Sequence, residues 1–221
     1  MIGRRAEPYA DRTEAGQALT EHLGQYADSG AVVLALPRGG VPVAAVVAQA
    51  LGAALDVLVV RKLGLPGHAE LAMGAIAGVG ERVETVRNED VLHESQVPEE
   101  EFADVYGREL AELRRREGAY RGGRPPVAID GRTVLLIDDG LATGATMRAA
   151  IAAVRNRGPS RLVVAVPVAA TRTCAALRPL VDELVCGWTP RPFLAVGQGY
   201  LDFAATSDEE VTRLLVAAAR T

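Results

Sequence analysis

Val134–Met147 reads VLLIDDGLATGATM. Four apolar residues lead into two adjacent aspartates, and a turn of small and hydroxyl-bearing residues follows. The apolar run has the length and composition of a buried strand. Like charges at neighbouring positions repel, and burying them is costly. The pair at the strand end is therefore either well solvated or has a ligand to hold.

In open α/β sheets, ligands sit beyond the C-terminal ends of the strands. Asp138 and Asp139 fall there, and Ala142, Thr143, Gly144, Ala145 and Thr146 lead straight into a helix. Small side chains let backbone N–H groups approach a ligand, a helix N-terminus favours an anion, and two hydroxyls add donors. The pattern reads as a phosphate cradle. Two carboxylates would repel that phosphate, so they must face another part of the same ligand. A ribose cis-diol offers two O–H donors to two acceptors, so the stretch points to a sugar phosphate. Other phosphate motifs fit badly: the turn has no Gly-Lys-Ser/Thr, and Gly140, Gly144 and Gly158 lack the Gly-x-Gly-x-x-Gly spacing.

The rest of the chain supplies the frame. Asp11–Tyr26 reads as a helix capped by Asp11, with Glu14 as capping-box partner. Ala31–Leu36 and Leu55–Val60 are apolar runs suited to buried parallel strands, separated by PRGGVP and a helix over Val43–Leu51. Leu71–Arg87 reads as a hairpin turning near Gly78–Gly80, and Pro98–Arg116 as a charged helix before the breaker-rich GAYRGGRPP. Strands follow at Thr133–Ile137, Arg161–Val168 and Glu183–Cys186. Helices are expected over Met147–Arg157, Thr171–Leu180 and from Ser207. Alternating strands and helices predict an α/β fold with a parallel sheet covered on both faces. The excursion at 70–125 is an insertion, so residues 1–221 are expected to form one domain.

Composition narrows the function. Of the 221 residues, 49% are hydrophobic, enough for a substantial core, and the net charge of −4 argues against a nucleic-acid partner. Cys174 and Cys186 are too few for a disulfide scaffold and read as buried free thiols. The N-terminal stretch has no apolar signal core, and no run reaches the roughly 20 residues of a membrane span. A cytoplasmic location is expected. His22 and His93 stand without companions, and His68 reads as a turn residue.

VLLIDDGLATGATM resembles the motif that binds phosphoribosyl pyrophosphate (PRPP) in type I phosphoribosyltransferases. The resemblance spans roughly residues 30–205. PRGGVPVA, VRKLGLPGHAELAMGA, YRGGRPP and DDGLATGATMRAA are similar to a group of bacterial phosphoribosyltransferases. It implies the fold of that family, with an inserted hairpin and flexible lid at about 88–125 and a small hood at about 188–205. It implies that Asp138 and Asp139 hold the ribose hydroxyls and that Ala142–Thr146 wrap the 5′-phosphate. Arg38, Gly39 and Gly40 would meet the pyrophosphate, together with Arg61 and Lys62 at the end of the second strand. Arg116, Arg121 and Lys62 become the candidate catalytic cations, with Arg124 beside them. Trp188 and Phe193 would face the acceptor base.

Mg²⁺ would be the cofactor, held mainly by substrate oxygens and in part by Asp138 and Asp139. A homodimer is expected by the same resemblance. Enzymes for 6-oxopurines carry an aspartate in the phosphate loop where Ala142 stands, so hypoxanthine or guanine is in doubt as acceptor. The expected reaction passes the 5-phosphoribosyl group of PRPP to a nitrogenous acceptor, with a place in nucleotide metabolism or base salvage. A PRPP-binding regulator and a hydrolase or phosphorylase of a phosphoribosyl compound are the alternatives.

Overall fold

The computed structural model describes residues 7–219. The first six residues of the N-terminal stretch read above lie outside it. Five parallel strands form the central sheet: β1 (Val32–Ala35), β2 (Ala54–Val57), β6 (Thr133–Ile137), β7 (Arg161–Val168) and β8 (Glu183–Trp188). Their order is β2-β1-β6-β7-β8. From β1 the sheet grows outward to β2, and from β6 it grows the opposite way, so the order reverses between β1 and β6. At such a reversal the connections diverge to opposite faces and leave a crevice at the strand ends.

Side chains alternate along each strand and build two cores. Val33, Ala35, Leu135 and Ile137 pack with α2 (Gly40–Leu51), α1 (Arg12–Thr20) and α7 (Asp208–Ala218). Val32, Leu34, Val134 and Leu136 pack with α5 (Ala145–Arg155) and α6 (Thr171–Leu177). Continuous apolar runs such as VVLA and TVLLI are what a sheet covered on both faces requires. The predicted fold class is observed.

Helix ends follow local chemistry. Asp11 Oδ1 accepts from Thr13 N at 2.7 Å and Glu14 N at 2.9 Å, fixing the start of α1. The expected helix over Asp11–Tyr26 is shorter, ending at Thr20 before a separate 3₁₀ turn at Gly24–Tyr26. The Glu14 carboxylate accepts from Ala10 N rather than from the cap itself.

One further expectation is corrected. The run Leu55–Val60 does not make one strand: β2 ends at Val57, and β3 (Val60–Leu65) opens a second sheet. This sheet is antiparallel, in the order β3-β4-β5, with β4 at His68–Val79 and β5 at Arg82–Arg87. The predicted hairpin is its β4–β5 half, turning through Gly80 at φ +60°. The segment in which the lid is expected forms α3 (Glu89–Glu94) and the 23-residue α4 (Glu99–Arg121), in keeping with the helix read over Pro98–Arg116. Phe102, Val105, Leu113 and Tyr120 of α4 are buried in the first core. Apolar spacing at 102, 105, 113 and 120 gives this charged helix a face that belongs inside. Among the described residues, no helix is long and apolar enough to cross a membrane.

Candidate active site at the reversal of strand order

Two loops meet at the ends of β1 and β6. Leu36 N donates to Ile137 O at 2.9 Å, carrying the pairing past the strand ends. The chain after β1 then turns through Pro37-Arg38-Gly39-Gly40 into α2, and the Pro37–Arg38 peptide is cis. A Cβ on Gly39 would collide with Asp139 Oδ2. One on Gly40 would lie 2.8 Å from Ile137 O and 2.9 Å from Asp138 Cα. Glycine at both positions lets the loop rest against the aspartate pair.

Both aspartates are half-buried. Asp138 Oδ1 accepts from Asp139 N at 2.9 Å. Asp139 Oδ2 takes two hydrogen bonds from Arg12, from Nε at 3.0 Å and Nη2 at 2.8 Å. Each aspartate therefore keeps one carboxylate oxygen uncommitted, giving two acceptors on adjacent residues. Burial, and then the neighbouring Asp139 charge, pushes the Asp138 carboxyl well above the usual range. Burial also raises Asp139, against the pull of the Arg12 guanidinium. A site that leaves carboxylates costly to ionise gains from a ligand that donates to them.

The loop after the pair is anchored at its ends and open in its middle. Leu141 bridges to Ala169, with Leu141 N donating to Val168 O at 2.9 Å. Thr173 Oγ1 donates to Ala142 O at 2.5 Å. Gly144 adopts φ +76° at the start of α5, a left-handed conformation that glycine takes without penalty, and a Cβ there would lie 2.6 Å from Thr173 Cγ2. Ala142, Thr143, Ala145 and Thr146 are exposed, and α5 begins without a side-chain cap. Its first-turn N–H groups are the donors an anion would meet.

The expected cations are distributed differently. Arg38 is exposed on the β1 loop. Arg61 and Lys62 lie on β3 of the second sheet, not at the end of a main-sheet strand, because the chain leaves the main sheet at Val57. Arg61 is ion-paired with Glu109 of α4 at 2.6 Å. Arg116 contacts Glu112 at 2.7 Å, and Arg115 shares that carboxylate. Hydrogen bonds from Arg115 and then Arg116 hold Glu112 down at about 2.

Arg121 corrects the expectation most clearly. It is buried, with Nε 2.9 Å from Asp56 Oδ1, Nη1 2.9 Å from Glu117 Oε1 and Nη2 3.0 Å from Val57 O. Each of its three guanidinium nitrogens is engaged inside the protein, so it serves the packing of α4 against β2. Arg124 likewise caps Leu215 O at 2.7 Å. Trp188 and Phe193 pack against the small cluster of Tyr9, Val168 and Tyr200.

Arg12, which the sequence reading passed over, completes the site together with Tyr200 and Phe203 of the hood stretch. Arg12 Nη1 donates to Ala204 O at 2.7 Å, and its guanidinium carbon lies 4.1 Å from the Phe203 ring centroid. Tyr200 Oη donates to Asp139 O at 2.5 Å. Tyr9 and Ala10 hold the hood by backbone bonds: Tyr9 N to Gly199 O, Leu201 N to Tyr9 O and Asp202 N to Ala10 O. Arg12 stands 127 residues from Asp139, and no local pattern marks it.

Residues 12–185 match the family model described as the phosphoribosyl transferase domain. The chain belongs to the phosphoribosyltransferase family. Two Mycobacterium tuberculosis proteins, each named "Putative phosphoribosyl transferase", are 45% identical over 207 residues, covering 94% of this chain and 46% of theirs. The chain thus spans about half the length of these curated relatives. The crystal structure of TT1426 from Thermus thermophilus superposes with a TM-score of 0.83 at 42% identity, covering 95% of this chain and 98% of that one.

Proposed function

We propose that this protein binds PRPP and transfers its 5-phosphoribosyl group to a nitrogenous acceptor, in the first instance a nucleobase, releasing pyrophosphate. The observation that carries the reading is the pair of uncommitted oxygens on Asp138 and Asp139 between an uncapped helix N-terminus and a glycine-lined loop. In this reading the aspartates accept from the ribose 2- and 3-hydroxyls. Residues 142–146 take the 5′-phosphate. Gly39, Gly40 and the Arg38 guanidinium take the pyrophosphate, with Lys62 as a further cation.

The acceptor nitrogen forms its bond to ribose C1 as the C1–O bond to pyrophosphate breaks, the electron pair leaves with the pyrophosphate, and the N–H proton of the acceptor is released to solvent. Positive charge develops on the ring in between. Holding the ribose by two hydroxyls and a phosphate fixes C1 between donor and acceptor, the contribution expected of positioning. Cations and N–H groups at the pyrophosphate stabilise the departing charge.

The donor set fits Mg²⁺ held through substrate. Carboxylate oxygens at Asp138 and Asp139 suit a hard cation, and no cluster of three or more His, Cys, Asp or Glu among the described residues would hold one alone. When bound, Mg²⁺ supplies charge neutralisation at the pyrophosphate.

Calorimetric titration with PRPP and Mg²⁺, followed by a pyrophosphate-release screen over nucleobases, tests the proposal. Binding with release for one base is expected. Failure to bind PRPP sinks it.

A second reading has its own observation. Arg61, Arg116 and Arg121 are engaged by Glu109, Glu112 and Asp56. A protein that binds PRPP as a signal without transferring it needs the ribose and phosphate donors but not those cations. PRPP binding with no release for any base is the result that reading expects.

A further inference from the structure

Arg12 joins three parts of the structure at one carboxylate. It opens α1, donates twice to Asp139 Oδ2, donates to Ala204 O and lies over the Phe203 ring. Its side chain is only 12% exposed. The planar guanidinium suits this position, since it makes two directed bonds to an acceptor while its face stacks on an aromatic ring, and an ammonium has no planar fork with which to do both. With Oδ2 occupied, Oδ1 is the Asp139 oxygen left for a ligand. The Tyr200 hydroxyl grips the Asp139 carbonyl from the other side. The hood does not depend on Arg12 for attachment, because the backbone bonds of Tyr9 and Ala10 to Gly199, Leu201 and Asp202 hold it.

We propose that Arg12 is a positioning residue for sugar recognition: it holds Oδ2 of the Asp139 carboxylate in place so that Oδ1 faces a ribose hydroxyl. The inference rests on the assignment of Asp138 and Asp139 to the ribose.

The test compares Arg12→Ala, Arg12→Lys and Phe203→Ala in the full chain. Ribose 5-phosphate and pyrophosphate are titrated separately with Mg²⁺ present, and Tm is recorded for each variant. Arg12→Ala should weaken ribose 5-phosphate by about tenfold or more, as expected for a lost charge-assisted fork, and pyrophosphate by less than about twofold. Arg12→Lys should restore only part of the loss. Phe203→Ala, which keeps the fork and removes the stack, should stay within about twofold of wild type for both ligands. Should Arg12→Ala fail to fold, Arg12→Lys carries the test, with a selective loss for ribose 5-phosphate expected. Unchanged ribose 5-phosphate affinity in the Arg12 variants overturns the proposal. So does an equal loss of both ligands in Arg12→Ala and Phe203→Ala, which would make Arg12 a hood anchor only. Wild type that binds neither ribose 5-phosphate nor PRPP overturns the ribose assignment itself, and this inference with it.

Discussion

Gly39 rests against the carboxylate of Asp139 so closely that a single added methyl group would collide with Oδ2. One residue belongs to the loop after β1 and the other to the loop after β6, so the contact ties the two halves of the site together. The Gly39 backbone is right-handed, with φ −60° and ψ −32°, and alanine is conformationally acceptable there. The effect of Gly39→Ala is therefore steric. It is expected to cost about 1–3 kcal/mol by overpacking and to abolish PRPP binding by pushing the loops apart. Gly24→Ala is the control, because nothing lies within 4 Å of its added Cβ. Denaturation midpoints and PRPP titration of both variants check this, and equal behaviour of the two would refute the steric account.

Asp138 stores a functional cost. Its carboxyl is raised in the folded protein by burial and by Asp139. A raised folded value means its contribution favours folding at low pH and is lost as pH rises from the unfolded carboxylate value, about 3.9, through the folded one. Asp138→Asn keeps an oxygen for Asp139 N and removes the buried charge. It should therefore raise the stability, and with it the Tm, of the unliganded protein at neutral pH. The difference from wild type should shrink towards a pH of about 4. Melting curves across that range read the effect, and a variant equally destabilised at every pH would contradict it. Asp138→Asn with Asp139→Asn should lose PRPP binding while remaining folded.

Arg121 and Asp56 form a buried ion pair further joined to Glu117, Val57 and Val127. Removing one partner leaves the other charge uncompensated, at about 3–5 kcal/mol. Arg121→Ala is expected to lower the urea midpoint sharply. An unchanged midpoint together with lost activity would restore Arg121 to the catalytic role its sequence position had implied.

Glu109 competes for Arg61. The pair is partly exposed, a setting in which such contacts contribute about 0.2–1 kcal/mol. Freeing Arg61 with Glu109→Gln should tighten pyrophosphate by at most about fivefold if the guanidinium swings to the ligand. Titration of pyrophosphate into wild type, Glu109→Gln and Glu109→Gln with Arg61→Ala resolves it. Identical affinities in all three would remove Arg61 from the pyrophosphate site.

The sequence by itself determined the strands, the helices between them and the chemistry of the aspartate motif. Those features are local: apolar runs too continuous for a one-sided sheet, a capping aspartate at Asp11, glycines and hydroxyls after a charged pair. Thr133–Ile137 and Arg161–Val168 are observed with the bounds read from the sequence. The tertiary structure decided what those groups face. Only the order β2-β1-β6-β7-β8 places the PRGG loop beside the aspartates. Only packing shows that the helix read from the charged segment turns Phe102, Val105, Leu113 and Tyr120 into the core, with its last arginine paired to Asp56. The split of Leu55–Val60 between two sheets was hidden for a related reason, since hydrophobicity reports burial and not which sheet provides it. Arg12 was hidden most completely. A guanidinium at the start of a helix is ordinary in sequence, and its meeting with Asp139 across 127 residues exists only once the chain has closed.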